Sequence, residues 1–112
     1  MDGRIQESIR RWTAETTGAQ YVDTITYPGV DRLVAENTDA ARIRAMIAIS
    51  TGAHGSDTVV ISGHHDCAGN PVTKAEHLKH IQSSVNVIKS WYPQVEVVGV
   101  WVNDLWQVEP LS

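Results

Sequence analysis

The chain has 112 residues, enough for one domain with one modest core. Hydrophobic content of 42% and charged content of 20% are ordinary for a globular protein, and the net charge of -4 excludes the basic surplus that nucleic acid or an anionic membrane surface would require. One cysteine excludes an internal disulfide, and no signal-like or membrane-length apolar run is present, so a soluble cytoplasmic protein is expected.

Met1-Asp2-Gly3-Arg4 is polar and reads as a loop. From Ile5 to about Thr17 the apolar residues Ile5, Ile9 and Trp12 recur at helical spacing, and Gly18 is a natural stop. Tyr21 to Tyr27 is rich in strand formers and ends at Pro28-Gly29, which predicts a strand. Val30 to Glu36 fits either a short strand or a helical turn. Asn37, Thr38 and Asp39 offer N-caps for a helix from Ala40 to about Thr51, with Ile43, Met46 and Ile47 as its apolar stripe.

Thr58 to Ile61 is a β-branched run that reads as a buried strand breaking at Gly63. Thr73, with Glu76 at the capping-box position, predicts a long helix to about Trp91. Its core face is expected to carry Leu78, Ile81, Val85 and Ile88, and Pro93 ends it. Val95 to Val102 is a second buried strand, and Leu105–Val108 is a candidate antiparallel edge strand. The alternation of strand and helix predicts an α/β fold: three layers, with a mostly parallel sheet flanked by helices.

Just past the strand Thr58–Ile61 stand His64 and Cys67, where open α/β sheets place their ligands. His64-x-x-Cys67 supplies an imidazole and the chain's one thiol at a spacing that lets both reach one soft ion, with zinc the usual occupant of such N/S sites. The structural alternative for the pair is an ordinary buried cysteine beside an unrelated histidine.

Gly63-His64-His65-Asp66-Cys67-Ala68-Gly69 resembles the second zinc motif of the β-class carbonic anhydrases, GHxxCG, although Ala68 stands where the glycine follows cysteine. Asp2-Gly3-Arg4 is similar to the end of the family's first motif, Cys-x-Asp-x-Arg. The order of elements fits over nearly the whole chain, most closely as in small divergent prokaryotic relatives. The resemblance implies one β-carbonic anhydrase-like domain over residues 1–112 that binds Zn2+ through His64 and Cys67. It also implies that Asp2 and Arg4 form the catalytic dyad beside the metal, that CO2 and bicarbonate are the substrates, and that subunits pair as a homodimer or higher oligomer.

Relative to the family pattern, the first cysteine ligand, expected immediately before Met1, and the apolar strand preceding it are missing from this sequence. Three readings follow: a start at an internal methionine, a short form that has lost strong zinc binding, or a gap filled by the Met1 α-amine or a partner chain. Hydrolysis of COS or CS2 is a neighbouring enzymatic reading. A non-catalytic metal-binding or oligomeric domain is the alternative from another class, and redox use of Cys67 is a third.

His65 is expected to hydrogen-bond within its turn rather than to shuttle protons. His77 and His80, at i and i+3, are expected on a solvated helix face, and His54 is expected to be exposed. Trp91, Trp101 and Trp106 are read as core or interface anchors.

Overall fold

A computed structural model describes residues 1–111. Its elements run α1 (Gly3–Thr17), α2 (Val30–Glu36), α3 (Ala41–Gly52), β1 (Thr58–His64), α4 (Lys74–Trp91), β2 (Glu96–Val102) and β3 (Val108–Pro110). The sheet order is β1-β2-β3. β1 pairs parallel with β2, and β2 pairs antiparallel with β3. The α/β class therefore holds, with a small mixed sheet in place of the expected mostly parallel one.

The parallel register sets Gly63 opposite Trp101 and His64 opposite Val102. β1 thus runs through Gly63, where a break was expected, and His64 is its last residue. α4 connects β1 to β2 and packs on both strands, while α2 packs on α4. Val34, Ile43, Ile47, Ile61 and Ile88 form the buried cluster between α2, α3, α4 and β1.

The predicted strand Tyr21–Tyr27 is not formed, and these residues carry no regular structure. A strand needs a hydrogen-bonded neighbour, and among the described residues this segment has no backbone partner. β1 ends the sheet, and the segment does not pair with it; both line one cavity of about 490 Å³.

The ambiguous stretch Val30–Glu36 is helical, entered through Gly29 at φ 61° and closed by Asn37 in the left-handed region at φ 51°. Asn37 therefore stops α2, its backbone N–H donating to Leu33 and Val34 carbonyls, and does not cap the next helix. α3 starts after Ala40 with no side-chain cap, and Met46, expected on its stripe, is 39% exposed while Ile43 and Ile47 are buried. Trp106 sits at φ 58° in a turn held by Asn103 Oδ1, which accepts from Leu105 N (2.9 Å) and Gln107 N (3.0 Å). That turn consumes Leu105–Gln107, so the edge strand starts only at Val108.

α4 forms as predicted. Thr73 Oγ1 accepts from Glu76 N at 3.2 Å, but the buried stripe is rotated. His77, Ile81, Ser84 and Ile88 face the interior at i, i+4, i+7 and i+11, while Leu78 and Val85 flank them half-buried. His77 is 1% exposed, which overturns the solvated-face reading; His80 is half-buried. Polar groups survive there because they are partnered: His77 Nδ1 meets Asp31 Oδ2 at 2.6 Å, and Ser84 Oγ donates to the Asp31 carbonyl at 2.7 Å. No described helix is long and apolar enough to cross a membrane.

Candidate functional site

β1 delivers His64 at the C-terminal end of the sheet, and the His65 amide continues the ladder by donating to Val102 O at 2.9 Å. The chain then leaves the sheet through Asp66, in the left-handed region at φ 56°, and returns Cys67 to the interior. His64 and Cys67 are both buried and line the same cavity as Met1.

His64 Nδ1 lies 2.8 Å from the His65 carbonyl oxygen. A carbonyl only accepts, so Nδ1 carries the proton and the neutral ring keeps its Nε2 lone pair. That is the tautomer a metal-ligating imidazole needs, set by a backbone contact of the kind that orients such ligands.

Asp2, read from sequence as part of a loop, is the N-cap of α1, with Oδ1 accepting from Arg4 N at 2.9 Å. Both Asp2 oxygens also accept from the Arg4 guanidinium. Nη2 reaches Oδ2 at 2.7 Å, and Nε reaches Oδ1 and Oδ2 at 3.1 and 3.2 Å. The same guanidinium crosses to the loop, where Nη1 donates to Asp66 Oδ2 at 3.2 Å and Nη2 to Asp66 O at 3.1 Å. Its face lies 4.6 Å from the Trp106 ring centroid. Arg4 therefore ties the start of α1 to the His64–Cys67 loop, bringing together residues that are 62 apart in sequence.

The hydrogen bonds from the Arg4 side chain, and then from its backbone N–H, hold the Asp2 carboxyl far below the usual carboxylate range. Arg4 is raised further by the Asp2 and Asp66 contacts. Whatever Asp2 contributes through this contact is fully present above its unfolded pKa of about 3.8 and is lost only as pH falls through the lower folded value. In a carboxyl-carbon NMR titration from pH 7 downward, Asp2 is expected to show no midpoint above pH 3.8. Arg4→Ala should move the midpoint up toward that value; an unchanged midpoint would show that Arg4 does not hold the carboxylate.

The other expected site residues fall as follows. His65 is exposed, and its ring lies 6.2 Å from Trp106, so its backbone rather than its ring serves the turn. His54 is exposed as expected, but its Nδ1 meets Asp23 Oδ2 at 2.6 Å. Trp101 is buried and Trp91 packs against the core. Trp106, read as an anchor, instead stacks on Arg4 at the site. Sequence reading did not identify Asp66 or Trp106 as partners of Arg4, because neither has a spacing that points to the N-terminus.

His64 and Cys67 are chemically suited to zinc, a borderline-soft ion that takes imidazole and thiolate. Among the described residues, however, no three His, Cys, Asp or Glu side chains come together as a complete metal-binding group. The chain thus presents two buried soft donors with an arginine-held carboxylate on the neighbouring helix cap.

A protein-family model described as "Putative carbonic anhydrase" matches residues 1–112. No curated protein and no solved structure matches the chain significantly.

Proposed function

Because the chain belongs to this carbonic anhydrase-like family along residues 1–112, we propose that it binds zinc through His64 and Cys67 and hydrates CO2 reversibly to bicarbonate. The observation that carries the reading is the Arg4 contact, which fixes the Asp2 carboxylate and the His64–Cys67 loop with one guanidinium. When bound, zinc supplies Lewis acidity, lowering the pKa of water to about 7 so that hydroxide is available at neutral pH.

The chain's own residues do the rest. His64 presents Nε2 as a donor because His65 O holds its Nδ1 proton, and Cys67 offers its sulfur from a buried position. Asp2, kept ionised by Arg4, is an acceptor that orients a reacting water or hydroxide and cannot itself deliver a proton at neutral pH. His65 contributes its carbonyl oxygen, which holds the His64 ring, while its own ring is exposed beside Trp106.

Zinc content of the chelator-washed protein tests this. About one zinc per chain is expected, lost in His64→Ala and Cys67→Ala, together with CO2 hydration by the loaded protein. No retained zinc would overturn the catalytic reading for this chain. The absence of a third clustered donor among the described residues favours one second reading, a domain that keeps the fold without catalysis; zinc bound without CO2 hydration would select it. Pairing into a homodimer, implied by the family resemblance, belongs to the same proposal and is read by sedimentation.

A further inference from the structure

Behind the loop lies a polar cluster that none of the proposed chemistry uses. Asp31, on the first turn of α2, is 1% exposed, and Asn70, at the end of the loop, is fully buried. Asn70 Nδ2 lies 3.2 Å from each Asp31 oxygen and 2.9 Å from His80 Nδ1, while His77 Nδ1 is 2.6 Å from Asp31 Oδ2.

The donors can be assigned. A carboxylate only accepts, so His77 Nδ1 carries a proton, and its 3.4 Å approach to Asn70 Nδ2 sets donor beside donor. The two Asn70 amide hydrogens then go to Asp31 and to His80 Nδ1. Turning the amide over would set its oxygen against the carboxylate. The observed orientation instead leaves Asn70 Oδ1 without a partner among the described residues, so the contact with Asp31 decides how this side chain sits.

Three neighbouring glycines leave space for this arrangement. A Cβ on Gly63 would stand 2.8 Å from Asp31 Oδ2 and 3.2 Å from His77 Nδ1. A Cβ on Gly69 or on Gly29 would stand 2.5 Å from the other residue's backbone. The loop is thus pressed onto the entry of α2 at Gly69 and held by its next residue to both α2 and α4.

We infer that Asp31, Asn70 and His77 form a buried clamp that positions the His64–Cys67 loop. They are positioning residues: they hold Cys67 at a set depth and spacing from His64 through Asn70, without being donors to an ion. The purpose of the His64–Cys67 pair rests on the zinc reading above; the clamp itself does not.

The test uses the lone thiol in metal-free protein. The rate of Cys67 alkylation by iodoacetamide is measured well below each variant's melting temperature, with Co2+ affinity read from the thiolate charge-transfer band. Asp31→Asn and Asn70→Ala are each expected to speed alkylation at least tenfold and to weaken Co2+ binding by a similar factor. The swap Asp31→Asn with Asn70→Asp restores a donor and an acceptor across the same gap and is expected to return both readouts most of the way. Val34→Ala, a buried core change on α2, is the control: it should lower the melting temperature without moving either readout.

Alkylation unchanged in the clamp variants, equally fast in the control, or not rescued by the swap would overturn the clamp. If Asn70→Ala does not fold, Asp31→Asn against the swap decides. If the wild type binds no Co2+, the metal reading falls, and the alkylation rates alone decide the clamp.

Discussion

Gly69→Ala is expected to destabilise the protein by about 3 kcal/mol or more, read as a lowered urea midpoint with an unchanged slope. The added methyl would stand 2.5 Å from Gly29 N and from Pro28 C, and 2.8 Å from Pro28 Cβ. Two of these are backbone atoms, so neither wall can relieve the clash by a rotamer change. The segment Pro28-Gly29 must move, and Asp31 on the same helix entry moves with it. Gly29→Ala meets the Gly69 carbonyl at the same distance and in addition places a side chain at φ 61°, so it should be at least as costly. Gly52→Ala is the internal comparison. Nothing lies within 4 Å of its would-be Cβ, and as the last residue of α3 it should be neutral or stabilising by up to about 1 kcal/mol. Equal midpoints for Gly69→Ala and Gly52→Ala would show that the loop is not pressed onto α2.

The second large effect concerns activity. In zinc-loaded protein, Arg4→Ala is expected to lower kcat/KM for CO2 hydration about 100-fold while zinc content stays near that of the wild type. Arg4 donates to Asp2, to the Asp66 carboxylate and to the Asp66 carbonyl, and it contributes no ligand atom. Its loss would free the Asp2 carboxylate and detach the α1 cap from the loop, misplacing the group proposed to orient the reacting water. The side chain is 45% exposed, so its removal should leave overall stability close to that of the wild type. Arg4→Lys should not rescue the rate, because an ammonium cannot span both Asp2 oxygens and the Asp66 carbonyl as a planar fork does. A wild-type rate in Arg4→Ala would remove the dyad from the mechanism.

Where the sequence reading succeeded, the signals lay within a few residues of the element they marked. Thr73 and Glu76 mark the start of α4, Gly18 closes α1 at φ 73°, and the β-branched run before His64 is a strand, half-buried at Thr58, Val59 and Val60 and buried at Ile61. The cap and the glycine stop depend on contacts within a few residues, so the chain order is enough to reveal them; β1 is legible from its run of β-branched residues, although it forms by pairing with β2. The stretch Gly63–Gly69 also stood out in sequence as a chemical motif, and it does present His64 and Cys67 to one cavity.

What the sequence by itself determined, then, is the α/β class, the helices and strands that are capped or bounded locally, and the His64 and Cys67 pair at the end of β1 and just past it. Only the tertiary structure decided the rest. Tyr21–Tyr27 has strand-forming residues, but it has no paired edge, so its propensity goes unused. His77 sits on a helix whose apolar residues suggested another face, yet the buried Asp31 carboxylate supplies a partner and draws that face inward. Arg4 meets Asp66 and Trp106 from opposite parts of the chain, and Asn70 meets Asp31 across 39 residues. The physical reason is common to these cases. A hydrogen-bonding group or an ion is stabilised by whatever partner the fold brings within about 3 Å, and sequence spacing carries no record of a partner that arrives from a distant segment.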